Sequence, residues 1–146
     1  MSRKDSQMIG FTVREWMNDL VVFVDPDATV TEALTLMRRR YINSLIVRKS
    51  ETNPAYGILT STDISDKIIA KEQNPSLVKV RDLMSSPIIS VHQNVVLKDC
   101  ARLMVEHEIH HLPVVDDSGN VIGMISATDF LVAAEAMGRA PGERLE

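Results

Sequence analysis

Apolar and polar positions along the chain alternate with two different periods, which predicts short strands mixed with amphipathic helices. From residue 30 onward the apolar residues recur three and four positions apart, which predicts a helix. Its start is marked by Asp25-Pro26-Asp27-Ala28-Thr29. The predicted core face of this helix consists of Val30, Ala33, Leu34, Met37 and Tyr41.

Shorter apolar runs on either side of this helix predict strands. Residues 21–24 predict a brief strand before the helix, and residues 44–47 and 56–59 predict two strands after it, joined by a polar loop. An opening turn of helix is predicted over residues 12–17, where Thr12 and Glu15 have the spacing of a capping box. A last helix is predicted to begin at Thr60.

The chain contains this pattern twice. A shift of 67 positions lays residues 13–17 on residues 80–84, and after a gap of one residue, residues 57–63 lie on residues 123–129. In the second copy the core stripe is Leu97, Cys100, Ala101 and Met104, and Asp117-Ser118-Gly119-Asn120 predicts a tight hairpin. The sequence therefore predicts an α+β fold of two β-α-β-β-α units, residues 11–72 and 80–138, with a linker at 73–79 and a loose tail at 139–146.

Composition narrows the class of protein. Apolar residues make up 45% of the 146 residues, enough for a buried core, and the net charge of −4 disfavours bulk binding of nucleic acid. No stretch approaches the roughly 20 apolar residues that span a bilayer, and the first ten residues lack the apolar core of a secretory signal. The single cysteine excludes an internal disulfide. We expect a cytoplasmic protein.

Two pairs, each of a hydroxyl and a carboxylate side chain, are the candidate ligand-binding groups. Thr60 and Ser126 lie where a strand ends and a helix begins, and Asp63 and Asp129 follow three residues later. Unpaired N–H groups at a helix start favour a phosphate, and a carboxylate one turn on can accept both hydroxyls of a ribose. The same spacing is also that of a capping box, which merely starts a helix. Both interpretations can hold together.

The duplicated unit resembles the CBS domain. The resemblance is carried by residues 25–30, by His110-His111-Leu112-Pro113-Val114-Val115-Asp116, and by residues 57–63 and 123–129. It implies a CBS pair with pseudo-twofold symmetry and two clefts between the repeats, which binds AMP, ADP, ATP or S-adenosylmethionine and regulates a partner protein. Because the resemblance covers residues 11–138, we expect a stand-alone module without an attached effector domain. The alternative is an interaction scaffold whose clefts stay empty.

The resemblance also assigns candidate ligand-binding residues. It places Asp63 and Asp129 at the ribose, Thr60 and Ser126 near phosphate, and basic residues directly before the second strand toward the phosphates. The last are His110 and His111 in the second copy but Asn43 and Ser44 in the first, so the two sites are expected to be unequal. The remaining candidates are Thr62, Thr128 and Pro113, and Pro113 corresponds to Ile46 in the first copy.

Other chemistry is disfavoured. His107-Glu108-Ile109-His110-His111 matches the HExxH zinc signature, but the helix is expected to end near Glu108 and a strand to follow. No set of nucleophile, base and oxyanion donor is present, so we expect no catalytic residues, no turnover, no metal and no cofactor beyond a regulatory ligand. Residues 130–137 are apolar nearly all round, which predicts that the other repeat and then a second chain cover them, in a homodimer.

Overall fold

The computed structural model of the protein describes residues 11–139, so the predicted tail, apart from Arg139, lies outside the described residues. The chain divides into two compact units. One is continuous, Val21–Ile88. The other, here called the discontinuous unit, combines residues 11–20 with residues 89–139 of the described chain. Each has its own three-stranded sheet, and the mixture of strands and helices confirms the α+β fold.

The continuous unit carries a mixed sheet whose strands lie in the order β1 (Phe23–Val24), β2 (Ser44–Val47) and β3 (Gly57–Thr60). Strands β1 and β2 are parallel, and β2 and β3 are antiparallel with Ser44 opposite Thr60. Its elements in chain order are β1 (Phe23–Val24), α2 (Val30–Arg40), β2 (Ser44–Val47), β3 (Gly57–Thr60), α3 (Ser61–Asp63), a π-helix (Ile64–Ile69), a 3-10 helix (Pro75–Leu77) and α4 (Val80–Leu83).

The discontinuous unit repeats the arrangement. The strands of its sheet lie in the order β4 (Val91–His92), β5 (His111–Val115) and β6 (Val121–Ser126). Strands β4 and β5 are parallel, and β5 and β6 are antiparallel. The hairpin predicted between β5 and β6 is confirmed, since Gly119 has a φ of 82° and Asp116 Oδ1 accepts from the N–H groups of Ser118 and Asn120. Its elements are α1 (Val13–Trp16), β4 (Val91–His92), α5 (Leu97–His107), β5 (His111–Val115), β6 (Val121–Ser126) and α6 (Ala127–Met137).

The opening helix of each sequence repeat packs into the core formed by the rest of the other repeat. Val80 and Leu83 of α4 belong to the core of the continuous unit, and Ser85 and Ile58 exchange backbone hydrogen bonds of 2.9 and 3.0 Å. Val13 of α1 is likewise buried in the discontinuous unit. The compact units are thus defined by contacts, whereas the predicted boundaries 11–72 and 80–138 describe the duplication in the sequence.

The predicted core stripes of α2 and α5 are largely confirmed. Val30, Ala33 and Met37 are buried in α2, and Leu97, Cys100 and Met104 in α5; Leu34 and Ala101 are half-buried. Burial raises the pKa of the Cys100 thiol to about 11, in keeping with a structural cysteine.

Two local predictions were wrong. Tyr41 is 96% exposed, because it adopts the left-handed conformation (φ 53°) that ends α2 and turns its side chain away from the stripe. The Thr12 side chain makes no capping bond; Thr12 instead pairs through its backbone with Val96, and its carbonyl accepts from Glu15 N–H at 3.2 Å. The capping box of this part of the chain lies at Thr29 and Glu32.

Helix α6 exposes much of its apolar surface. Ala133 is buried, but Leu131, Val132 and Met137 are 71%, 55% and 51% exposed. This agrees with the sequence pattern, and the second chain expected to cover the helix stays a prediction. None of the helices within residues 11–139 combines the length and hydropathy that crossing a bilayer requires.

Candidate functional site

The candidate site of the second repeat, formed by Ser126 and Asp129 and here called the second corner, lies where β6 ends and α6 begins. The backbone N–H of Ser126 donates to Asp129 Oδ2 at 2.8 Å, and the Ser126 hydroxyl donates to the same oxygen at 3.3 Å. These bonds fix the start of the helix, so the capping interpretation holds here. Among the residues that the structure describes, none donates a hydrogen bond to Asp129 Oδ1. One carboxylate oxygen therefore caps the helix, and the other accepts no hydrogen bond from residues 11–139.

The equivalent first corner lies where β3 passes into α3, and it is occupied by the chain itself. Thr60 N–H and the Thr60 hydroxyl donate to Asp63 Oδ2 at 2.9 and 3.3 Å, as in the other repeat. Here, however, Lys67 Nζ donates to Asp63 Oδ1 at 3.1 Å and to the carbonyl of Leu83 at 2.8 Å. Both oxygens of Asp63 are engaged, and its side chain is only 13% exposed.

Strand pairing brings the residues before the second strand of each repeat to the corners. His111 lies opposite Ser126 across β5 and β6, and Ser44 lies opposite Thr60 across β2 and β3. His111 is half-buried, whereas His110 is exposed. Burial and the neighbouring His110 lower the pKa of His111 below its ordinary 6.5. Both effects favour the neutral form of the imidazole next to the second corner.

The remaining candidates differ in accessibility. Thr62 and Thr128 lie in the first turns of α3 and α6 and are exposed one residue before the aspartates. Pro113 lies within β5 opposite Met124 and is fully buried, so its side chain contributes packing in this conformation.

Sequence reasoning missed Lys67. The signal was present, since a lysine four residues after an aspartate on a helix is a common ion-pair spacing. The matching position in the second repeat is Ala133, which is buried in the core of the discontinuous unit. The two corners therefore differ in charge as well as in their flanking residues.

The described residues give no support to a zinc helix. Helix α5 ends at His107, and Glu108 takes a left-handed conformation (φ 53°), so His107 and His111 do not share a continuous helix. Within residues 11–139 no three His, Cys, Asp or Glu side chains are grouped so that they could hold a metal ion.

Each unit carries a hydroxyl–carboxylate corner between its last strand and the helix that follows. The family model described as the CBS domain matches this chain twice, over residues 13–70 and 80–136. The chain belongs to the CBS domain family, and its two repeats form a CBS pair, a regulatory module.

Relatives of similar architecture are found in archaea and bacteria. An uncharacterized protein of Methanopyrus kandleri is 34% identical over 111 residues, which cover 76% of this chain and 56% of the relative. The CBS domain-containing protein YhcV of Bacillus subtilis is 31% identical over 121 residues, covering 83% of this chain and 84% of the relative. The chain thus spans little more than half of the first relative and most of the second.

Solved structures share the fold. The hexameric CBS-CP12 protein from bloom-forming cyanobacteria has a TM-score of 0.80 and 30% identity, covering 92% of this chain and 76% of that one. The CBS domain pair of protein MJ0100, solved with 5′-methylthioadenosine and S-adenosylmethionine, has a TM-score of 0.73 at 23% identity, covering 84% of this chain and 98% of that one. This second likeness concerns the fold alone.

Proposed function

We propose that this CBS pair binds an adenosine-containing ligand, such as AMP, ADP, ATP or S-adenosylmethionine, and passes the resulting change in packing to a partner protein. Its role is regulatory, not catalytic. The observation that carries the proposal is that Asp129 Oδ1, beside the start of the 11-residue helix α6, accepts no hydrogen bond from the part of the chain that the structure describes. A carboxylate held in place by Ser126 loses little conformational freedom when it accepts the hydroxyls of a ribose.

The surroundings of Asp129 supply the other groups that a nucleotide needs. The N-terminal N–H groups of α6 and the exposed Thr128 hydroxyl suit a phosphate oxygen. His111 begins β5 opposite Ser126, and the exposed His110 directly precedes the strand. Hydrogen bonds that involve a charged group contribute about 1.5–3 kcal/mol each. One or two of these, with burial of the adenine, give dissociation constants of about micromolar to millimolar.

A thermal-shift panel tests the proposal. AMP, ADP, ATP and S-adenosylmethionine are each added at millimolar concentration, and a ligand that binds only the folded chain raises its melting temperature. We expect at least one of them to raise Tm by several degrees. The 2′-deoxy analogue of the best nucleotide is expected to give a smaller shift, because it offers Asp129 one hydroxyl fewer.

The matched variants are Asp129→Asn and Asp66→Asn. The amide introduced by Asp129→Asn keeps an oxygen for the Ser126 N–H but loses the charge that favours the ribose, so the shift should largely disappear. Asp66 is an exposed carboxylate on the π-helix, and its variant should respond like the wild type. A full response in Asp129→Asn, or no response of the wild type to any compound, would contradict the proposal.

A second candidate function is an interaction scaffold in which apolar helices join copies of the chain. It is favoured by the exposed Leu131, Val132 and Met137 on α6. The CBS-CP12 structure, 30% identical to this chain, is described as hexameric, so modules of this fold can assemble. We propose a homodimer through α6, which is compatible with ligand binding; the scaffold function alone would leave the panel without any shift.

A further inference from the structure

The equivalent aspartates of the two corners differ in their hydrogen-bond partners. Asp63 and Asp129 use one oxygen identically, each accepting from the residue that precedes its helix. The second oxygen of Asp63 accepts from Lys67, whereas that of Asp129 has no donor among residues 11–139. The second oxygen is the one that a ribose would use. The repeats therefore differ at the atom on which ligand binding depends.

Lys67 is held in this position by more than its ion pair. Its ammonium also donates to the carbonyl of Leu83, the last residue of α4, at 2.8 Å. A carbonyl at a helix end lacks an intrahelical partner, and the lysine satisfies it. Displacement of Lys67 by a ligand would leave this acceptor unpaired, which raises the cost of opening the corner.

The backbone around Lys67 is wound differently from its counterpart in α6. Residues Ile64–Ile69 form a π-helix, with Ala70 N–H donating to Ser65 five residues back at 2.9 Å. The pattern continues with Gln73 N–H to the Ile68 carbonyl at 3.0 Å. π-helical segments are rare in proteins, and those that do occur are frequently found at functional sites. The local winding and the side-chain contacts thus both set the segment that carries Lys67 apart from the second repeat.

We infer that Lys67 acts as a built-in cationic occupant that closes the first corner, so that the chain takes one adenosine-containing ligand, at the second corner. This inference rests on the proposed function and adds its stoichiometry and the residue that sets it. The ammonium donates to the oxygen that ribose hydroxyls would use. Ala133 has no donor to offer at the matching position, so the second corner stays open.

Equilibrium dialysis with radiolabelled AMP and S-adenosylmethionine tests the inference through the number of molecules bound per chain. The wild type is expected to bind one molecule. Asp129→Asn should weaken this binding at least about tenfold, the loss of one hydrogen bond to a charged group, whereas Asp63→Asn should leave it unchanged. Lys67→Met keeps the apolar stem but removes the ammonium, and it should raise the number bound to two.

Lys71→Met is the control for Lys67→Met, since Lys71 is an exposed lysine of the same segment. Its stoichiometry should stay at one. Two molecules bound by the wild type, weakening by Asp63→Asn in place of Asp129→Asn, or an unchanged count in Lys67→Met would each overturn the inference while leaving the proposed function intact.

Failure of the proposed function gives a different result, in which no variant binds either compound. The closure by Lys67 is then decided by amine labelling. Reductive methylation followed by mass spectrometry should modify Lys67 several-fold more slowly than Lys71, and Asp63→Asn should remove much of this protection. Equal labelling of Lys67 and Lys71 in the wild type would overturn the closure of the first corner as well.

Discussion

Equivalent short motifs in the two repeats acquire different properties from the residue one turn further along the helix. In both repeats the aspartate holds the start of its helix through the N–H of the preceding Thr60 or Ser126. Lys67 then forms an ion pair with Asp63, whereas the buried Ala133 offers no such partner to Asp129, whose Oδ1 accepts no hydrogen bond from the described residues. Capping and ligand binding are thus compatible roles of one side chain, because a carboxylate has two oxygens.

His111 gives the folded chain a pH dependence whose sign follows from its lowered pKa. Burial and His110 disfavour the imidazolium in the fold, whereas the unfolded chain protonates near the ordinary value of 6.5. Below 6.5 the unfolded chain binds more protons, so the stability that is present at pH 7.5 is lost as the pH falls through the folded pKa.

Urea unfolding at pH 7.5 and pH 5.5 measures this effect. The wild type should lose more stability between these pH values than His111→Gln does. His107→Gln, which replaces an exposed histidine at the end of α5, should behave like the wild type. An equal pH dependence in His111→Gln and the wild type would show that this imidazole does not carry the effect.

The individual residues at the corners were predictable to different degrees. The repeat and the strand-to-helix position of Thr60 and Ser126 singled out both aspartates, because a duplicated motif fixes its own register. Lys67 was not predicted as a site residue, because the i to i+4 spacing does not reveal that its ammonium also reaches the carbonyl of Leu83, sixteen residues away. That second contact depends on where α4 packs, which a local pattern does not contain.

At the scale of elements, each sheet contains a glycine that contacts the residues directly after the opening helix of a repeat. A Cβ added to Gly123 in β6 would overlap the sulfur of Met17 and lie 3.1 Å from the backbone oxygen of Asn18. Gly57 in β3 has the same relation to Met84, with the backbone oxygen of Ser85 at 3.3 Å. Glycine at these two positions allows the close approach of the chain that follows α1 and α4.

We expect Gly57→Ala and Gly123→Ala each to destabilise the chain by about 1–3 kcal/mol, the usual cost of overpacking. The backbone oxygens cannot move away as the methionine side chains can, so the strain is not fully relieved by a rotamer change. Gly138→Ala is the control, because its nearest neighbours lie at 3.6 Å or more and its φ is not positive. Urea unfolding of the three variants measures the difference; wild-type stability of Gly123→Ala would refute the packing argument.

Element types were predicted well from periodicity, whereas the partners of the opening helices were not. The strand at residues 44–47 and the buried face of α5 follow directly from the pattern. Val13 and Val80, however, occupy equivalent positions in the duplication, and either core would bury the same apolar side chain. Because the energetic terms are alike for both pairings, the sequence pattern alone does not distinguish them.

At the scale of the whole molecule, the exposed apolar surface of α6 favours association with a second copy of the chain. A helix that is apolar on more than one face is not stabilised by contact of the second face with water. Burial of that face would contribute about 25 cal/mol per Å² of apolar area to the free energy of association. Leu131 and Val132 are adjacent and both more than half exposed. In an isologous dimer the same patch from a second copy covers them, so one substitution acts twice across the symmetry axis.

Size-exclusion chromatography with light scattering tests the dimer. The wild type should elute with twice the mass of one chain, and the double variant Leu131→Glu/Val132→Glu should shift toward monomer, because the charges of the two copies would face each other in an apolar contact. Leu77→Glu changes an even more exposed leucine, at 82%, in the 3-10 helix of the continuous unit, and should leave the mass unchanged. A monomeric wild type at every concentration tested would exclude the dimer, and equal dissociation by Leu77→Glu would assign the contact to another surface.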